Sequence, residues 1–267
     1  MAPDLHISEI LSSFPAITLP ELDSYMLMNR VDTKYVFSAS RIPGILKDLD
    51  GRYRTLEIDS LRVFPYHTTY FDSEDWMFFR QHVKRRGVRS KVRFRKYEQT
   101  GTQFLEVKRR TNKLRTEKWR ILKEINSAGG FDEESLNFIM RHVARDTPHL
   151  KPVVVNRFKR ITLTSETSEE RVTIDFDLIF SDPEGNSFSV PAIGVIERKR
   201  IDFSNRSPLA ETLKKNFIYP TGFSKYCLGT AVLYDLPGKS LIKPKLLLIN
   251  KISNENPRQY HAGQHFN

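Results

Sequence analysis

The residues most able to do chemistry in this chain are charged, and they recur at every second position. Between Ser90 and Arg110, Lys91, Arg93 and Arg95 alternate with Val92 and Phe94. After Gln99, Thr100 and Gly101 the pattern returns, with Phe104, Glu106, Lys108 and Arg110 alternating with Leu105 and Val107. Successive side chains of a strand point to opposite faces, so this spacing predicts a hairpin with one charged and one apolar side. One such hairpin also suits a solvated basic edge that deters aggregation. Repetition argues for more. Arg30, Asp32 and Lys34 share a face, as do Lys118 and Arg120, and Arg157, Lys159 and Arg160 lie in a strand-rich run. Arg171, Thr173, Asp175 and Asp177 alternate with Val172, Ile174, Phe176 and Leu178. Glu197 and Lys199 alternate with Arg198 and Arg200, where period alone does not say which face is buried. Several like-charged strands on one face repel unless a polyanion sits among them.

If these faces point inward, they line a lumen with Arg30, Lys34, Arg93, Arg95, Lys108, Lys118, Arg160, Arg171 and Lys199. A dry interior does not tolerate that density of unpaired charge, so the lumen must hold water and anions. The acids on the same faces, Asp32, Glu106, Asp175, Asp177 and Glu197, either pair with neighbouring bases or hold a hard divalent cation. Mg²⁺ typically takes one or two carboxylates together with substrate phosphates. Glu197, preceded by apolar residues and followed by Lys199, is the acid expected to hold metal. Basic and acidic residues in one cavity suit a metal-bound polyphosphate. No His/Cys cluster, Gly-rich phosphate loop or Ser/His/Asp set is evident.

The elements that must position these residues are about eight antiparallel strands with helices between them. Sheets closed from that number of strands enclose a ligand-sized lumen. The fold class expected is α+β, an antiparallel eight-stranded tunnel-like β-barrel with flanking helices. Helices are expected over Glu21 to Met28, from a Ser38 or Ser40 cap to Leu49, over Trp76 to Gln81, over Pro208 to Phe217 and over Ser224 to Tyr234. A further helix, Asp132 to Arg145, is expected to turn Leu136, Ile139, Met140 and Val143 inward. Residues 1–24 read as an N-terminal arm, 25–236 as the tunnel domain and 237–267 as a tail, either an appended strand or a partly disordered end. The basic run Lys84, Arg85, Arg86 and Gly87 reads as a solvated loop.

The 267 residues include 43 Lys and Arg against 32 Asp and Glu, a net charge of +11, which points to an anionic partner. Nucleic acid is the commonest such partner, with membrane surfaces and phosphorylated small molecules behind it. The single cysteine, Cys227, rules out an intrachain disulfide and fits a reducing compartment. No apolar run reaches the length of a membrane span, and Asp4 and Glu9 stand where a signal peptide carries lysines, so a cytoplasmic protein is expected.

An ordered set of short motifs then resembles a known family. Arg30 to Tyr35, Tyr70-Phe71-Asp72, the Lys91/Arg93/Arg95 strand, Leu105 to Arg109, Ile196 to Lys199 and Phe223 to Tyr226 follow one another as in the VTC domain. That is the catalytic domain of polyphosphate polymerases in the CYTH-like triphosphate tunnel metalloenzyme superfamily. The resemblance spans roughly residues 25–235. It implies that Lys34, Arg93, Arg95, Lys108, Lys118, Arg160, Arg171, Lys199 and Lys225 bind phosphate and that Glu197 binds Mn²⁺ or Mg²⁺. It further implies transfer of the ATP γ-phosphate onto growing inorganic polyphosphate, which leaves through an open-ended tunnel. ATP and inorganic polyphosphate or triphosphate are the partners expected, with no nucleic acid. Arg30 and Asp32 occupy the places of two glutamates in the superfamily's wider signature, as the VTC branch allows. The competing readings are a triphosphatase of the same fold and a non-catalytic polyphosphate- or nucleic-acid-binding module.

Overall fold

A computed structural model describes residues 3–24, 31–113, 115–124, 130–143, 149–165, 167–201 and 206–254. The chain runs α1 (Pro3–Leu11), β1 (Ala16–Ile17), α2 (Leu19–Ser24), β2 (Val31–Ser38), α3 (Ile42–Leu49), β3 (Arg54–Leu56), β4 (Phe64–Ser73) and α4 (Met77–Val83). It continues through β5 (Arg89–Tyr97), β6 (Gln103–Arg110), β7 (Thr116–Leu122), α5 (Glu133–His142), β8 (Leu150–Ser165) and β9 (Glu170–Ser181). The last elements are β10 (Ser187–Val190), β11 (Ile193–Arg200), α6 (Pro208–Lys215), α7 (Lys225–Leu233) and α8 (Lys243–Asn254).

Eight strands form one antiparallel path, β2-β11-β9-β8-β4-β5-β6-β7, with the short β1, β3 and β10 beside it. The sheet curls into a half-barrel, an α+β architecture with flanking helices. Its curl is visible in a contact between non-neighbouring strands, where Lys108 of β6 comes within 3.9 Å of Asp32 of β2.

The convex side carries α3 and α6. Tyr35, Phe37, Ile161, Val172, Ile174 and Ile196 project there against Ile42, Ile45, Leu46 and Leu49 of α3 and Leu209 and Leu213 of α6. Apolar residues at that spacing in α3 form one stripe, and each buried Leu or Ile contributes about 1.5–3 kcal/mol. The expected Ser38 or Ser40 cap is absent, because the chain enters α3 through a 3₁₀ turn, Ala39–Arg41, and the two hydroxyls bond each other at 2.8 Å. Pro43 in the first turn of α3 removes one amide that needs no partner there. At the other end of the sheet Val92, Phe94, Leu105 and Val107 pack with Trp119, Ile121, Phe138 and Ile139.

Two expectations are corrected and a third lies partly outside the described residues. Leu136 and Met140 of α5 are exposed, and only Ile139 and Val143 of the expected inward set are buried, since the helix meets the sheet along a narrow stripe. The tail forms the helix α8, whose Leu246, Ile249 and Ile252 join the apolar cluster of Val36 and Val195. The helix expected up to Met28 is described only over Leu19–Ser24, and its remainder lies outside the described residues.

Helix α7 lies against the concave face. A Cβ on Gly229 would meet the Phe180 and Val154 side chains at 2.7 Å, a backbone approach that only glycine allows. Asp72 holds α7 in place from the end of β4. It accepts from Phe78 N at 2.8 Å and Phe79 N at 2.9 Å at the start of α4, and from the Tyr226 hydroxyl of α7. Burial raises the Asp72 pKa, and these donors work against that rise.

Candidate functional site

Register fixes which residues share the concave face. Across β2, β11, β9 and β8, Lys34 stands opposite Glu197, Asp32 opposite Lys199, Lys199 opposite Arg171, and Asp175 opposite Arg160. Across β5, β6 and β7, Lys91 faces Lys108, Arg93 faces Glu106, and Lys108 faces Lys118. Paired residues lie on the same side of a sheet, so the alternations seen separately in the sequence belong to one surface. Lys34, Arg93, Arg95, Lys108, Lys118, Arg160, Arg171 and Lys199 all stand on it. Arg30 lies outside the described residues.

Lys225 reaches the same surface from the first turn of α7. Its ammonium bonds Asp175, which Arg160 grips from β8 at 2.5 and 2.8 Å. Ser224 caps α7 by accepting from Cys227 N and so fixes the direction in which Lys225 leaves the helix. Burial works to raise the Asp175 carboxyl, but Arg160 and Lys225 outweigh it and hold the pKa at about 2. Glu106 is arranged likewise, with Arg93 Nε at 2.7 Å and the Lys118 ammonium beside it. Burial opposes its ionisation as well, and Arg93, Arg95 and Lys118 together hold its pKa well below the usual carboxylate range.

Glu197 accepts from Lys199 at 2.6 Å, and the same ammonium lies 3.3 Å from Asp32. Burial penalises the Glu197 charge, yet Lys34, Lys199 and Lys108 overcome it and keep the carboxylate ionised. Lys108 and Lys118 are pushed down to about 8, chiefly by burial, and nearby cations add to the effect. Arg95 is nine-tenths buried, its guanidinium 5.7 Å from the Tyr66 ring.

Sequence reasoning left Lys91 out of the site set. It shares the face of Arg93, donates to Ser224 Oγ at 3.0 Å, and burial pushes its pKa to about 8. The alternation that located Arg93 locates Lys91 equally. Thr173, read as part of the β9 alternation, was left out of the site set because it is uncharged, yet it stands opposite Glu197 with its hydroxyl buried and without a hydrogen-bond partner.

Asp177 does not join the others. A bulge between β8 and β9 leaves Asp177 at φ 52°, and its carboxylate bonds Lys159 at 2.9 Å. Beyond the bulge the alternation is reversed, so Phe180 shares the face of Asp175. The concave face is therefore charged over one stretch and apolar over another. The apolar stretch is covered by α7 and α8, in place of an open bore along the whole sheet.

The face of β11 that period could not assign is resolved by packing. Glu197 and Lys199 face the lumen, while Arg198 turns to the convex side and donates to Glu170 at 2.6 Å. The Tyr53 hydroxyl also bonds Glu170 and accepts from Leu209 N at 3.2 Å.

Among the described residues, no three His, Cys, Asp or Glu side chains converge on one point. The donors suited to a metal are Glu197 and Asp32, joined through Lys199, a set of carboxylate oxygens fitting a hard cation that brings phosphate ligands with it. No helix among the described residues is long and apolar enough to cross a membrane.

The fold resembles solved structures of low sequence identity. A candidate adenylate cyclase of Bacillus halodurans aligns at 16% identity with a TM-score of 0.48, over 74% of this chain and 96% of its own. The candidate adenylyl cyclase HpAC1 of Hippeastrum, described as having a dominant triphosphatase activity, aligns at 14% identity with a TM-score of 0.48, over 79% of this chain and 99% of its own. No curated protein matches the sequence. The family profile of the VTC domain matches residues 29–234, which contain all eight strands of the antiparallel path and every lumen residue named above. The chain belongs to the VTC domain family.

Proposed function

We propose that this chain is a metal-dependent phosphotransferase that extends inorganic polyphosphate with the γ-phosphate of ATP. The observation that supports it most strongly is the set of like-charged neighbours on the lumen face. Arg171 stands opposite Lys199, Lys91 opposite Lys108, and Lys108 opposite Lys118. Directly opposed like charges destabilise a sheet, and Glu106, Asp175 and Asp32 are each already paired with two cations. The cations not neutralised by Asp32, Glu106, Asp175 and Glu197 suit a ligand with closely spaced negative groups.

In this reading Lys34, Lys91, Arg93, Arg95, Lys108, Lys118, Arg171 and Lys199 hold the phosphates. Arg160 and Lys225 hold them from the far side of Asp175. Glu106 and Asp175, enclosed by their cations, keep those side chains extended and spaced. Glu197, with Asp32, would hold Mn²⁺ or Mg²⁺, and the ion would neutralise charge on the phosphate oxygens when bound. Phosphoryl transfer depends on positioning and charge neutralisation more than on covalent help from side chains. The lumen supplies positioning through cations on opposed strands, and these also favour a terminal phosphate over water as the incoming group.

Incubation of the purified protein with ATP and Mn²⁺, followed by gel electrophoresis, tests the proposal. A ladder of polyphosphate is expected. Free phosphate without a ladder would assign the lumen to hydrolysis instead.

A further inference from the structure

The basic run Lys84 to Arg86 and the turn between β6 and β7 were not absorbed by the lumen. We infer that they form an external track on which a polyphosphate chain continues after leaving the charged stretch of the concave face. The inference rests on the reading of the lumen as a polyphosphate site.

The two segments are held together. Arg89 stands opposite Arg110, and Arg110 opposite Thr116, so the loop before β5 and the turn after β6 emerge side by side. A Cβ on Gly87 would meet Asn112 Oδ1 at 3.3 Å. The turn is closed by Thr111 N donating to Arg115 O at 2.8 Å, and the loop is tied to β5 by Arg89 donating to Arg86 O at 2.7 Å.

The charge is continuous with the lumen. Arg89 follows Lys91 and Arg93 on one face of β5, and Arg110 follows Lys108 on β6. Beyond them lie exposed Lys84, Arg85 and Arg86 on one segment and Lys113 and Arg115 on the other. Among the described residues no carboxylate is within ion-pair distance of any of these, unlike Arg109, whose partner is Glu117 at 2.9 Å. A solvated basic surface ordinarily intersperses acids. Here the cations form an unbroken line from an enclosed face to an open one.

Arg86 and Asn112 of these segments also border a polar cavity of about 460 Å³ on the reverse face of β5, the face of Ser90 and Val92, so the line of cations runs past this cavity along the lumen side of the rim. Cations that continue from an enclosed phosphate site onto an open rim call for a flexible linear polyanion long enough to occupy both.

The test compares tripolyphosphate with long-chain polyphosphate as probes, binding to the full chain and to a variant carrying Lys84→Ala, Arg85→Ala, Arg86→Ala, Lys113→Ala and Arg115→Ala. Neutralising cations that contact a polyanion lowers both affinity and its salt dependence. The long chain should bind the variant about tenfold or more weakly with a shallower salt slope, while tripolyphosphate should stay within about twofold of wild type. Unchanged long-chain affinity would overturn the track, as would equal losses for both probes, which would mean that the loops act through the lumen. A second variant, Lys113→Ala with Arg115→Ala, should show a smaller loss in the same direction, and circular dichroism checks that both variants fold. Wild type that binds the long chain but not tripolyphosphate would refute the lumen reading and leave the outer surface as a polyanion site. Tighter binding of single-stranded RNA than of polyphosphate at the same salt would overturn the assignment of the ligand.

Discussion

Lys108 and Lys118 stand directly opposite each other on β6 and β7, and both ammonium groups are pushed down to about 8. Two cations on neighbouring strands, each part-way to neutrality near physiological pH, make the lumen sensitive to pH.

In the proposed function polyphosphate binds the charged forms, so affinity is expected to be highest below pH 8 and to decline above it as Lys91, Lys108 and Lys118 lose their protons. Uptake of one proton per bound chain gives about a tenfold loss of affinity per pH unit in that range. The free protein shows the opposite trend from these groups. Their unfolded pKa is 10.5, so the unfolded chain binds more protons between pH 8 and 10.5, and their contribution to stability rises through that window. Thermal midpoints with and without tripolyphosphate at several pH values would show the ligand-induced gain shrinking as pH rises. A gain independent of pH would contradict the assignment of these lysines.

Arg160→Met leaves Asp175, 2% exposed, with Lys225 as its main partner. Removing one partner from a buried ion pair costs about 3–5 kcal/mol, and the remaining contact with Lys225 puts this substitution at the lower end. Urea denaturation measures the loss. A cost below about 1 kcal/mol, typical of an exposed pair, would show that Asp175 is not enclosed.

Gly229→Ala places a methyl carbon against Phe180 and Val154, where overpacking costs about 1–3 kcal/mol. The strain falls on the contact that seats α7 and with it Lys225. Denaturant midpoints should fall, and polyphosphate affinity should weaken with them. Wild-type stability in this variant would mean that α7 stands farther from the sheet.

Tyr53→Phe separates the two sides of β11. It removes the hydroxyl that bonds Glu170 and accepts from Leu209 N, so stability should drop by about 1–3 kcal/mol. Because this cluster lies on the convex side, tripolyphosphate affinity should stay at the wild-type value when measured calorimetrically. A matching loss of affinity would show that the convex ion pairs shape the lumen.

The charged hairpin was legible because period-2 alternation is a local property, and register then carried Arg93, Lys108 and Arg171 onto one face as expected. Asp177 was not legible. One extra residue in β9 reverses the pattern, and a bulge leaves no mark in a run that alternates cleanly by type. The helix starts at Asp132 and Ser224 were readable, and both residues cap their helices, whereas the Ser38 cap failed because a 3₁₀ turn intervened. Helix α8 was missed because Leu246 to Ile249 looks like a short apolar run, and only tertiary packing decides between helix and strand for such runs. The division of the concave face into charged and apolar stretches depends on where α7 lies, which no local pattern encodes.

The central claim is that the cations of separate strands converge on one enclosed site for a linear phosphate chain. Diffraction from crystals soaked with tripolyphosphate and Mn²⁺ tests it most directly. The account predicts phosphate density in contact with Arg93, Lys108, Arg171 and Lys199, with an anomalous manganese peak beside Glu197. Phosphates confined to the convex surface, with only solvent between β6 and β11, would contradict it.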